Sequence, residues 1–162
     1  MKHALIPLIA LTMVIGCRKE NPVEQHDEQF IQIDFSYGFK DELNTFEGFV
    51  QKDLILDGAA RKPLWFSKAE QSSIVDVVIE TKFLTFPDTL YAQKGVLVSP
   101  DFSPDQLRIR YNGQDKTVVW FYPLDPSSEF TAPLNKLALS IKNILVANET
   151  YKKLPPARGG YQ

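Results

Sequence analysis

The chain has 162 residues, enough for one domain with a single core, and its formal charge of −2 leaves no basic surplus for nucleic acid. Its one cysteine rules out an internal disulfide, and its two histidines, His3 and His26, both precede residue 30. From residue 30 onward this excludes Ser-His-Asp and Cys-His nucleophile systems and any zinc site built on His or Cys, and no glycine-rich phosphate loop is present.

The first sixteen residues, MKHALIPLIALTMVIG, place Lys2 before a nearly unbroken apolar run from Ala4 to Ile15. A charged start and a short apolar middle match a secretory signal, and the run is too short for a spanning helix, which needs roughly 20 apolar residues. It ends in Val14, Ile15, Gly16 and Cys17 rather than in an A-x-A site. This pattern resembles the lipobox of bacterial lipoprotein precursors. The resemblance implies cleavage before Cys17 and lipidation of its thiol, so that residues 1–16 are a lipoprotein signal peptide. Two or three acyl chains would then hold the protein to a cell membrane or outer membrane, facing an extracytoplasmic compartment. Loss of Lys2 with the leader takes the formal charge to −3.

Residues 17–29 follow as the lipidated cysteine and a tether, since RKENPVEQHDEQ holds no strong apolar residue but Val23. Residues 30–162 then form a single domain with a C-terminal tail. In FIQIDFSYG the alternation of Ile31, Ile33, Phe35 and Tyr37 with polar residues predicts a half-buried strand. A less regular strand is expected over residues 45–56, with Gly48 at a bulge. Ser67 followed by Glu70 makes a capping box, and Ile74, Val77, Val78 and Thr81 continue it as a helical stripe. Trp65, just before the cap, reads as a staple against that helix.

A short strand is expected near residues 95–99, followed by a hairpin in QLRIRYNGQDKTVVWFY. Type I′ at Asn112-Gly113 would set Ile109 opposite Lys116. Type II′ at Gly113-Gln114 pairs Ile109 with Val118 and Leu107 with Trp120, which keeps charge off the apolar face, and is the expected register. Arg108 and Arg110 then lie on a wet or partly covered outer face. A second helix is expected over residues 132–148, with Pro133 in its first turn. The tail YKKLPPARGGYQ cannot stay helical past Pro155-Pro156 and is expected to fold back with Leu154 and Tyr161 as plugs. The YKKLPPARGGY segment is also similar to the ends of small uncharacterised bacterial lipoproteins, which implies no activity. One Arg158-Gly159-Gly160 triplet does not make an RNA-binding repeat. The order of elements predicts a two-layer α+β domain, an antiparallel sheet with two helices packed on one face.

Trp120 falls on the core face, whereas Phe121 and Tyr122 follow on the other side and are the candidate binding residues, as an exposed aromatic patch for an envelope protein or glycan. The competing expectation is that a tail or helix covers them. Asp34, Glu47, Asp53, Asp101 and Asp105 are the remaining acids for carboxylate chemistry, each ordinarily a solvated surface charge. DFSPD and DPSSE lack the alternating acids and glycine of a calcium loop. No catalytic residue, metal ligand or cofactor is therefore assigned. The expected function is a lipid-anchored, non-enzymatic envelope module. The alternatives are a carboxylate-dependent envelope glycan hydrolase and a lipoprotein inhibitor of an enzyme.

Overall fold

The computed structural model describes residues 29–95 and 103–160. The leader and Cys17, the tether as far as residue 28, all but Gly95 of the strand expected near 95–99, Asp101 and Tyr161 lie outside the described residues.

The expected first strand is β1, Ile31–Tyr37, with Ile31, Ile33 and Phe35 buried and Gln32, Asp34 and Ser36 less so. It is followed by β2 (Asp41–Asn44), β3 (Phe49–Ile55), β4 (Gly58–Pro63) and the helix α1 (Lys68–Thr81). After a single 3-10 turn at Phe83–Thr85 come β5 (Thr89–Leu90), β6 (Asp105–Tyr111), β7 (Gln114–Trp120) and the helices α2 (Thr131–Ala147) and α3 (Glu149–Lys152). One seven-stranded sheet in the order β4-β3-β2-β1-β6-β7-β5 results, antiparallel except where β5 lies parallel to β7. The fold is α+β, as the element order predicts.

The strand expected over 45–56 divides at its start. Thr45 is buried against β1, its amide donating to Ile33 O at 2.7 Å and its hydroxyl accepting from Ile33 N at 2.8 Å. This holds residues 45–48 in a turn between β2 and β3. Gly48 therefore serves that turn, at φ 74°, and the bulge lies instead between Asp53 and Ile55. Trp65 rests on Gly48, where an added Cβ would stand 2.3 Å from the indole ring.

The hairpin also departs from expectation. Asn112 and Gly113 both have positive φ, 49° and 75°, which is a type I′ turn. The register is Tyr111 with Gln114, Ile109 with Lys116, Leu107 with Val118 and Asp105 with Trp120. Lys116 does share a face with fully buried Ile109, but its ammonium runs out along that face to pair with Asp88. The misfit that disfavoured type I′ is thus relieved by a residue far away in the chain. On the outer face Arg108 and Arg110 both hold Asp115 at 2.7 Å, and their guanidiniums lie 4.5 and 4.9 Å from the centre of the Phe46 ring. That face is partly covered, as predicted.

Helix α1 starts at the Ser67 capping box, with Ser67 N donating to Glu70 at 2.8 Å and Glu70 N to Ser67 Oγ at 3.3 Å. Its buried residues are Gln71, Ile74, Val75, Val78 and Thr81, so Val75 takes the deep position expected of Val77. Helix α2 begins one residue earlier than predicted and buries Leu134, Leu137, Ala138, Ile141 and Leu145. The two helices pack together, tied at the surface by Lys136 to Glu80, and share one hydrophobic core with Ile33, Phe35, Leu107, Val118 and Trp120. At about 1.5–3 kcal/mol for each large apolar side chain withdrawn from water, this shared layer is the main force holding helices to sheet.

Candidate functional site

The end of the sheet where β1 passes into β2 gathers polar groups that the sequence separates widely. Tyr37 closes β1 opposite Asp41, the first residue of β2. Gly38, at φ 64°, turns the chain there and donates its amide to Asp105 Oδ1 at 3.1 Å, so the start of β6 is tied to the β1–β2 turn. Asp41 Oδ1 accepts from Asp53 N at 2.9 Å. From α2, the Lys142 ammonium reaches 4.4 Å from the Tyr37 ring centre and 5.4 Å from that of Phe35. Lys52 approaches the ring of Tyr151 on α3 at 5.5 Å, and Tyr151 hydrogen-bonds Tyr37.

Tyr122 stands beside this cluster, 51% exposed, its hydroxyl against the Trp120 indole and in the field of Asp105. Phe121 is half-buried, its amide donating to Leu90 O at 3.2 Å. The backbone of the same loop continues along the β5 segment, with Gln93 N donating to Pro123 O at 2.8 Å. A half-open concavity of about 320 Å³ lies there, lined by Leu90, Tyr91, Lys94, Leu124, Asp125 and Phe130 among others. Tyr91 on its rim is 76% exposed. The loop thus presents Tyr122 on the side of the polar cluster and borders an aromatic-lined hollow at Leu124.

The electrostatics of the cluster follow from burial. Withdrawal from water raises Asp105 above the ordinary carboxylate value, with Gly38 N–H and Lys142 opposing. Burial likewise raises Asp41, and the charge of Asp53 adds to the shift, while the amide of Asp53, Lys142 and Lys52 oppose it. Tyr37 is pushed upward chiefly by burial, then by Tyr151 and Asp41. Among the described residues, Lys142 is the cation that acts on both carboxylates.

Because the folded values of Asp41 and Asp105 lie above those of the unfolded chain, protonation favours the fold. That stabilisation is full below the unfolded carboxylate range and is lost as pH rises through the raised folded values. Asp105→Asn keeps an oxygen for Gly38 N–H and removes the desolvated charge. We expect it to melt a few degrees above the parent at pH 7, the shift that about 1 kcal/mol produces in a domain of this size. The difference should fade as pH falls and the parent carboxyl is protonated too. A lower melting point at pH 7 would show that attraction to Lys142 outweighs desolvation.

Of the other described acids singled out in the sequence, Asp53 adjoins this group through Asp41, whereas Asp34 and Glu47 lie elsewhere. Asp34 lies on the outer face, raised by burial and by Glu42, with Arg108 opposing. Glu47 pairs with Arg61 at 3.3 Å, and Asp53 caps the amide of Ile55 at 2.9 Å. Among the described candidates, only Asp105 is brought beside Tyr122. Sequence reasoning missed Asp41, Lys142 and Tyr151, none of which carries a local signal, and assigned Tyr37 to the strand alternation alone. Among the described residues no group of three or more His, Cys, Asp or Glu is placed to hold a metal ion, and no helix is long and apolar enough to cross a membrane. Compared with known protein families, curated proteins and solved structures, the chain matches none.

Proposed function

We propose that this chain is a lipid-anchored cell-envelope protein, held to its membrane through acylated Cys17. In this reading it is not an enzyme and binds a protein or envelope glycan through the loop at Phe121 and Tyr122. The observation that carries the reading is the sequence Val14-Ile15-Gly16-Cys17 directly after a short apolar run with a charged start. The exposed ring of Tyr122, close in the chain to the hollow at Leu124 and Tyr91, supports the binding site, since aromatic rings with one wet edge suit both peptide and sugar faces.

Replacement of Cys17 by alanine is expected to abolish labelling by a fatty-acid analogue and to leave an uncut precursor; unchanged labelling would remove the anchor from the reading. For the binding half, the chain is immobilised and solubilised envelope is passed over it. One recurrent retained protein, lost with Tyr122→Ser at an unchanged melting temperature, is the expected result. A tight one-to-one complex with an enzyme would identify the inhibitor form of the same idea.

The second reading, carboxylate-dependent hydrolysis of an envelope glycan, draws its support from the raised carboxyls of Asp41 and Asp105 at one end of the sheet. Release of reducing ends from cell-wall fragments, lost in Asp41→Asn and Asp105→Asn, would put it ahead.

A further inference from the structure

The C-terminal tail does not trail away from the domain. Leu154 is buried in the core, and beyond it every residue from Pro155 to Gly160 is exposed. Within that exposed stretch Arg158 returns to the β3–β4 turn and pairs, in parallel, with Ile55. Arg158 N donates to Leu54 O at 3.3 Å, and Leu56 N donates to Arg158 O at 3.4 Å. The guanidinium takes both carboxylate oxygens of Asp57, at 2.8 and 2.7 Å. Gly159, at φ 90°, lies so close to Leu56 that a Cβ would stand 2.9 Å from its Cγ and Cδ1.

These contacts describe a receptor. Leu54 O and Leu56 N offer a backbone pair for one residue of an extended chain, as a sheet edge does in strand addition. Asp57 offers a planar carboxylate that fits the two-pronged donor of arginine better than the point charge of lysine. The next position, with φ 90°, has the left-handed backbone that favours glycine, while the Leu56 side chain above it is exposed. The tail that meets these demands is lightly held: its backbone bonds are long, its ion pair is a surface pair, and Pro155 and Pro156 have no amide hydrogen to donate. The turn itself is under strain, because Ile55, a β-branched residue, sits at φ 63°.

We propose that the β3–β4 turn is a docking slot for an extended segment of a protein partner bearing Arg-Gly, and that the chain's own tail is its resident, displaceable occupant. The charge of Asp57 and the left-handed backbone at Gly159 select that partner chemistry. This inference depends on neither the leader nor Tyr122.

The test uses the full chain in detergent and a fluorescent peptide probe, Pro-Ala-Arg-Gly-Gly-Tyr, followed by anisotropy. Arg158→Ala removes the competitor's ion pair without touching the slot, so the probe is expected to bind it roughly tenfold more tightly than the parent, whose slot is mostly filled. Adding Asp57→Asn should reverse that gain. Probes with lysine for arginine, or alanine for the first glycine, should bind about tenfold more weakly or worse. Should Arg158→Ala fail to fold, Gly159→Val loosens the tail by opposing the left-handed backbone there and takes its place. The proposal is overturned by equal affinity in parent and released variants, by binding indifferent to Asp57, or by no binding at all. A dimer that both tail variants abolish would overturn it too, by making a second copy's tail the true occupant.

Discussion

Trp120→Ala is expected to lower the free energy of unfolding by about 3 to 5 kcal/mol, read as a shift of the guanidinium midpoint at constant slope. Trp120 is fully buried at the end of β7, directly opposite Asp105 and with its ring 6.1 Å from that of Phe35. Removing the indole leaves a hollow lined on the sheet side by residues of β1 and β6, and rigid strands cannot close over it. Against a total of roughly 5 to 15 kcal/mol, such a loss brings the domain near unfolding. The neighbouring Tyr122→Ser removes a half-exposed ring and should change stability by well under about 1 kcal/mol. That contrast separates a core residue from a surface site two positions away. A loss below about 1.5 kcal/mol for Trp120→Ala would mean that the core repacks around the gap.

Gly48→Ala is the second large effect, about 2 to 4 kcal/mol of destabilisation, for two combined reasons. Its φ of 74° disfavours any residue with a Cβ, and that Cβ would stand 2.3 Å from two atoms of the Trp65 ring. The indole must leave, and it belongs to the segment whose Leu64 N donates to Gly48 O at 3.0 Å, joining the β2–β3 turn to the end of β4. The double variant Gly48→Ala/Trp65→Ala tests the cause. With the clash gone, the penalty of the glycine change measured in that background should fall to about 1 kcal/mol, the strain alone. Strict additivity of the two substitutions would show that the ring contact is not responsible.

Trp65 also shows where reading the chain runs short. A tryptophan before a capping box reads as a helix staple by local rules. Its actual seat is Gly48, seventeen positions upstream, and no local pattern joins the two. Strands β2 and β4 escaped notice for a related reason. Asp41-Glu42-Leu43-Asn44 and Gly58-Ala59-Ala60-Arg61-Lys62-Pro63 hardly alternate, and they are strands because β1 and β3 present backbone partners to them. The hairpin register departs from the local expectation because Lys116 finds its partner in Asp88, far from it in the chain. At the candidate site, Asp105 and Tyr122 could be singled out as residue types, whereas their association with Asp41 and Lys142 arises only when β2 and α2 are laid against the same end of the sheet.

What could be read directly from the residues is what local physics controls. Period-two alternation makes β1, a capping box and a 3.6-residue stripe make α1, and a proline-led apolar stripe makes α2. Together they suffice for an α+β domain. The expected lipid address at Cys17 is likewise carried by neighbouring residues. Strand order, hairpin register, the polar cluster at Tyr37 and the docking of Arg158 onto the β3–β4 turn all depend on groups brought together from distant parts of the chain. Their energies exist only after closure, when burial desolvates Asp41 and Asp105 and when a strained turn at Ile55 gains a single backbone bridge to Arg158.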